Sequence, residues 1–84
     1  MNPRYREALD NLAWLYIQQE QYEQGLLYLN RSIDVKSDNG WAYYQRSRIH
    51  YQQGRIVETM RDAQKACQLG ITEGCSLYER CQIE

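Results

Sequence analysis

Apolar side chains recur along most of the chain at three- and four-residue steps, the period of a helix that buries one side. Ala8, Leu9, Leu12, Ala13, Leu15 and Tyr16 mark the inner side of a first helix that reaches about Gln19. Pro3 behind Asn2 suits its start, because proline costs nothing at the first helical position and asparagine accepts from the open amides there. Beyond the polar stretch Gln18 to Gln21, the residues Tyr22, Leu26, Leu27, Leu29, Ile33 and Val35 keep the period. They predict a second helix, joined by a very short turn and packed antiparallel to the first. Ser37, Asp38, Asn39 and Gly40 then break the pattern with turn and capping residues before Trp41 opens a third helix, which Gly54 ends. A fourth, about Arg55 to Leu69, is closed by Gly70, the residue type that most easily turns left-handed after a last helical turn. Thr72 caps a fifth, running to about Ile83; it is short, contains Gly74, and has Leu77, Tyr78, Cys81 and Ile83 to offer as a face. The pattern therefore predicts an all-α chain whose last helix is a terminal cover.

The chain also repeats itself. Shifted by 34 residues, Leu9 meets Tyr43, Ala13 meets Ser47, Tyr16 meets His50, and Gln18 and Gln19 meet Gln52 and Gln53. In the second helices Leu26 meets Met60, Leu29 meets Ala63, Ser32 meets Ala66 and Val35 meets Leu69, so size and polarity are kept where a helix pair must close. A third register puts Leu77 under Leu9 and Tyr43, and Cys81 under Ala13 and Ser47.

A 34-residue helix-turn-helix period is that of the tetratricopeptide repeat (TPR). The chain resembles that family through Leu12-Ala13, Tyr16, Tyr22, Gly25, Leu29 and Ser32 in the first unit, and Tyr43, Ser47, Gly54, Ala63 and Ala66 in the second. It departs from the family pattern at Ser37 and Ile71, where a proline is usual, at Glu20, where a turn glycine is expected, and at Thr59, an alanine position. The resemblance implies one domain over residues 1–84, an α-α superhelix of two helix hairpins plus a C-terminal capping helix. Repeat 1 spans about residues 6–39, repeat 2 about 40–73, and the capping helix about 72–83. Arg46 stands where such repeats usually place leucine, and units with arginine there often carry an aspartate matching Asp62. An Arg46–Asp62 pair is expected, since a buried arginine needs such a partner.

In a TPR stack the first helix of each pair lines a concave inner surface. Carried over by position, the groove takes Asp10, Trp14, Ile17 and Gln18 from the first repeat, Trp41, Tyr44, Arg48, Tyr51 and Gln52 from the second, and Tyr78 and Gln82 from the last helix. This set is strongly aromatic. Large side chains with a polar tip dominate protein-binding energetics, so a peptide or protein ligand is implied, with Trp14, Ile17, Trp41, Tyr44, Arg48, Tyr51 and Tyr78 as its contacts. For any one of these rings the alternative is packing between neighbouring helices. The lysine and asparagine pattern by which some TPR proteins clamp a C-terminal carboxylate is absent, since Asp10 and Trp14 hold the matching places. A second function class is structural, in which the repeats stack on further repeats or on another copy and form a homo-oligomer.

Composition narrows the partners. The 84 residues carry ten basic and eleven acidic side chains, a net charge of -1, and the basic ones are scattered, so a nucleic-acid backbone finds no footprint. No apolar run approaches the roughly 18 residues of a membrane span, and the start lacks the apolar centre of a signal peptide, so the segment is expected to be soluble. Two and a half repeats look like a segment of a longer protein. There is no nucleophile elbow, glycine-rich phosphate loop or HExxH, and Glu7, Asp10, Glu23 and Asp34 sit among solvated helix positions; no catalysis and no cofactor are expected. The cysteines lack metal-site spacing and His50 matches Tyr16 in the repeat, so it is read as packing and no metal site is expected.

The spacing of Cys67 and Cys75 across the turn before the fifth helix could bring their sulfurs together. The stretch from Ala66 to Gly70 and through Gly74-Cys75 is similar to cysteine-containing Sel1-like repeats of secreted bacterial proteins, in which such pairs bridge adjacent helices. That similarity implies a disulfide and a periplasmic or secreted setting. The alternative is two buried thiols in a reducing cytoplasm, the default compartment. Cys81 stands outside the pair in both cases.

Overall fold

Four short connections join the periodic segments, and three of them are built in the same way. The computed structural model describes the backbone of residues 3–83 and the side chains of residues 5–83. Its elements are five helices, α1 Pro3–Gln18, α2 Tyr22–Val35, α3 Gly40–Gln52, α4 Ile56–Gln68 and α5 Thr72–Ile83, within two residues of the expected bounds, and the described residues contain no strand. Asn2, expected to cap α1, lies outside the described residues.

At the α1–α2 turn the Gln21 amide donates to the Tyr16 carbonyl at 2.9 Å and the Glu20 amide to that of Ile17 at 2.9 Å. The α3–α4 turn repeats this with Arg55 to His50 and Gly54 to Tyr51, and the α4–α5 turn with Ile71 to Ala66 and Gly70 to Cys67. Paired bonds of this kind satisfy the last carbonyls of a helix and need a left-handed residue just beyond it. Gly54 and Gly70 supply it with φ of 75° and 96°, and Glu20 is forced into the same region at 59°. Glu20, the departure noted at the turn-glycine position, thus takes the glycine's conformation without its freedom. Asn39 caps α3, its Oδ1 accepting from the Ala42 amide at 3.3 Å.

The chain forms two compact units, residues 1–37 and 38–84. In the first, α1 and α2 pack as a hairpin with Leu9, Ala13, Gly25, Leu29 and Ser32 buried, and the rings of Tyr16 and Tyr28 stack at 5.6 Å. The Ser32 hydroxyl donates to the Asp10 carboxylate at 2.6 Å, linking the two helices and satisfying a buried polar group. The inner stripe of α1 is narrower than the periodicity suggests: Ala8, Leu12 and Leu15 are exposed. At about 100° per residue, Leu9, Ala13 and Tyr16 fall within one narrow sector while Leu12, Ala8 and Leu15 turn progressively out of it.

In the second unit α4 packs against both α3 and α5. Its interior joins Ala63, Leu77 and Cys81, against which Tyr44, Tyr51, Met60 and Tyr78 pack. Thr59, the departure at an alanine position, is fully buried, and its hydroxyl donates to the Arg55 carbonyl at 2.7 Å, so no polar group is stranded. Gly74 looks like a weak point in a short helix, but the fold needs it. A Cβ at that position would lie 2.8 Å from the Ala66 Cβ and 2.9 Å from the Ala63 carbonyl oxygen, so the residue lets α5 press onto α4. Cys67 and Cys75 are joined by a disulfide across the same crossing, with their Cα atoms 4.6 Å apart. Cys81 is not part of it and lies buried in the core.

Candidate functional site

Positions 41, 44, 48 and 51 of α3 follow one another at three- and four-residue steps, so one stripe of the helix carries Trp41, Tyr44, Arg48 and Tyr51. The adjoining stripe, Ala42, Gln45 and Ile49, is buried and anchors the helix. Tyr44 and Tyr51 are half-buried and divided between two tasks: each packs on the Ala63, Leu77 and Cys81 cluster and also borders a pocket of about 320 Å³. α3 contributes Tyr44, Arg48, Tyr51 and Gln52 to this pocket, and α5 contributes Glu73, Ser76, Leu77 and Arg80. Arg48 is exposed; its guanidinium lies 5.8 Å from the centroid of the Tyr44 ring, and its Nη1 donates to the Gln45 side-chain oxygen at 3.2 Å. Ring and amide therefore hold a charged group at the pocket without neutralising it.

Of the residues assigned to a groove, this pocket brings together Tyr44, Arg48, Tyr51 and Gln52. Trp41 is half-buried and does not line it. Tyr78 packs on the core cluster, and Gln82 is exposed; neither lines the pocket. The α5 wall was missed because the repeat offset carries Tyr44 and Arg48 onto Tyr78 and Gln82, whereas the wall is built from the positions equivalent to Asn39, Ala42, Tyr43 and Arg46. Glu73, Ser76, Leu77 and Arg80 nevertheless share one helical face at offsets of three, four and seven, a signal present in the sequence. In the first unit Trp14 is 43% exposed, Gln18 is exposed, and Ile17 is half-buried.

Behind the α3 stripe lies a polar cluster. Arg46 grips Asp62 through two bonds, Nε to Oδ2 and Nη2 to Oδ1, both 2.8 Å, as the repeat pattern implies. The fork matches a carboxylate's geometry and fixes α3 against α4. The Arg46 guanidinium also lies 5.4 Å from the Tyr43 ring centroid. His50 Nε2 is 3.7 Å from Asp62 Oδ2, and His50 Nδ1 is buried with no hydrogen-bond partner. Burial holds His50 below the usual histidine range; Asp62 pulls the other way, and Arg46 adds to the lowering. Among the described residues no group of three or more His, Cys, Asp or Glu side chains is placed to hold a metal ion. No helix among them is long and apolar enough to cross a membrane.

No family profile and no curated protein matches the chain. Among solved structures it is similar to the N-terminal domain of stress-induced protein-1 (STI-1) from C. elegans. The TM-score is 0.85 at 15% sequence identity, over 96% of this chain and 72% of that one. The fold is TPR-like. Within it, the small buried residues Ala13, Gly25, Ser32, Ser47, Ala63 and Ala66 sit where two helices of a TPR-like hairpin close on each other. At such low identity the likeness reaches the backbone arrangement.

Proposed function

We propose that the chain is a protein-interaction module that holds a peptide or protein segment along the face carrying Trp41, Tyr44, Arg48 and Tyr51, and that it performs no catalysis itself. Trp14, Ile17 and Tyr78 are further contacts in this reading, which treats residues 1–84 as one repeat domain with repeats over about 6–39 and 40–73 and a capping helix over about 72–83. The observation that carries it is the pocket between α3 and α5, whose walls combine two tyrosines with arginine. Such side chains concentrate binding energy because they bury large apolar area while keeping a polar tip. A protein ligand also suits a net charge of -1 with scattered basic residues, which favours neither nucleic acid nor an anionic membrane surface. The α4–α5 disulfide supports a kinship with Sel1-like repeats and an oxidising compartment, periplasmic or secreted, in preference to the cytoplasm.

The test is capture of partners from native lysate by the parent chain and by a folded Trp41→Ala, Arg48→Ala variant. Tyr44 is left intact because it also supports the core. A partner retained by the parent and lost by the variant establishes the face as a recognition surface. Equal capture by both overturns it.

A second reading, self-association, is favoured by the outer face of α1. Tyr5, Leu12 and Leu15 are exposed there on one side of the helix. Leu15 is 56% exposed, whereas Ile49, its counterpart 34 residues on, is 2% exposed, so the same repeat position is covered in one hairpin and open in the other.

A further inference from the structure

The α3–α5 pocket carries a charge pattern that specifies its occupant beyond the word peptide. We infer that it takes an acidic side chain from within a peptide, held between Arg48 and Arg80, with a neighbouring apolar side chain laid on Tyr44, Tyr51 and Leu77. This rests on the proposed binding face and adds the chemistry of its ligand.

Two guanidinium groups border the pocket, one from each wall, and both residues are exposed. Neither forms an ion pair among the described residues. Among the described residues Arg48 is engaged by neutral groups, Gln45 and the Tyr44 ring, and Arg80 has no carboxylate partner. Arg46 offers the contrast within the same unit: it is fully matched by Asp62 and turned to structural use. The pocket's single carboxylate, Glu73, is seven residues from Arg80, about 10 Å along a helix, and pairs with neither arginine. It sets a repulsive end to the site and leaves the arginines for an incoming anion.

A guanidinium presents its donors in a flat fork that matches a carboxylate, so a pair of them facing one pocket prefers a carboxylate to the neutral amide of equal shape. The apolar part of the walls gives the second half of the specificity. Leu77 is buried, and the two tyrosines border the pocket while also packing on the core cluster. A volume of about 320 Å³ stands at the small end of ligand sites, enough for one or two side chains. Because the carboxylate belongs to a side chain, no free C-terminus is required.

The probes are two peptides, acetylated at the N-terminus and amidated at the C-terminus. One alternates Asp or Glu with Leu and Trp, and the other carries Asn and Gln in place of the acids. Binding to the disulfide-bonded chain is read by titration calorimetry and by shifts of the Tyr44, Tyr51 and Leu77 resonances. The expected result is at least tenfold preference for the acidic peptide. Arg48→Gln and Arg80→Gln are each expected to remove about tenfold of its affinity, and salt to weaken it, because exposed charge pairs are screened over about 8 Å at physiological ionic strength. Both variants should cost the amide peptide less affinity than the acidic one, so the preference between the two peptides narrows. Equal binding of the two peptides, with the same resonances moving, overturns the charge assignment while leaving the binding face standing. Binding of neither, or binding with no shift at those three residues, overturns both.

Discussion

At the scale of single residues, the second unit depends on one buried ion pair. Asp62 is 7% exposed and receives both donors of the Arg46 fork, so its removal leaves a half-buried guanidinium without its carboxylate. Asp62→Ala is expected to cost about 3 kcal/mol and lower Tm by more than 10 °C in thermal unfolding. Replacing the pair together, Arg46→Leu with Asp62→Leu, should recover most of that loss, which isolates the stranded charge as its cause. His50 makes stability pH-dependent in the same place. Its folded pKa lies below the ordinary value, so as pH falls through about 6.5 the unfolded chain takes up the proton first. Its contribution is present above pH 6.5 and is lost on acidification until the folded imidazole also protonates. Unfolding between pH 5.5 and 7.5 should show Tm falling with pH, by a smaller slope in His50→Phe. Glu20 is a site of strain, left-handed without being glycine. Glu20→Gly should raise stability by about 0.5–1 kcal/mol, the relief of the left-handed penalty less the extra entropy of glycine in the unfolded chain. A lower urea midpoint would refute that account.

At the scale of helices, closeness decides more than propensity. By intrinsic preference Gly74→Ala should stabilise α5 by about 1 kcal/mol. The α4 backbone stands in the way, since the new methyl would meet the Ala63 carbonyl oxygen at 2.9 Å as well as the Ala66 Cβ at 2.8 Å. The expected outcome is destabilisation of about 1–3 kcal/mol, read from the urea midpoint of the disulfide-bonded chain. Such a change would also displace the α5 wall of the pocket, so binding of the acidic peptide should weaken with it. The three helix-ending turns share one hydrogen-bond pattern, which explains why a glutamate is tolerated where its counterpart is glycine: paired carbonyls hold the conformation even against the preference of the residue.

At the scale of the whole molecule, the open apolar face of α1 bears on association. Tyr5, Leu12 and Leu15 leave a hydrophobic stripe in water, and a helix in an array of repeats ordinarily covers that side with a neighbour. Sedimentation over a range of concentrations is expected to show reversible self-association that Leu15→Glu abolishes without loss of helical signal. A parent chain that stays monomeric at high concentration would leave the interaction reading as the better account of the exposed surface.

The order and bounds of the helices and the turns at Gly54 and Gly70 were legible in the sequence because each depends on neighbours within one or two helical turns, and the 34-residue period because the chain repeats itself. So was the Arg46–Asp62 pair, through the resemblance to repeats that carry an arginine and an aspartate at these two positions. The positions Trp41, Tyr44, Arg48 and Tyr51 came from the repeat resemblance, carried over by position, and their spacing puts them on one stripe of α3. What surrounds that stripe was not legible. Only tertiary packing divides Tyr44 and Tyr51 between core and pocket, lays Tyr78 against the core cluster, and brings Glu73 and Arg80 to the site. It also leaves Leu12 and Leu15 outside a core that hydrophobic periodicity assigned to them. Periodicity reports which side of a helix is apolar, whereas burial depends on how wide a sector the neighbouring helix covers and on how closely residues such as Gly74 allow it to approach.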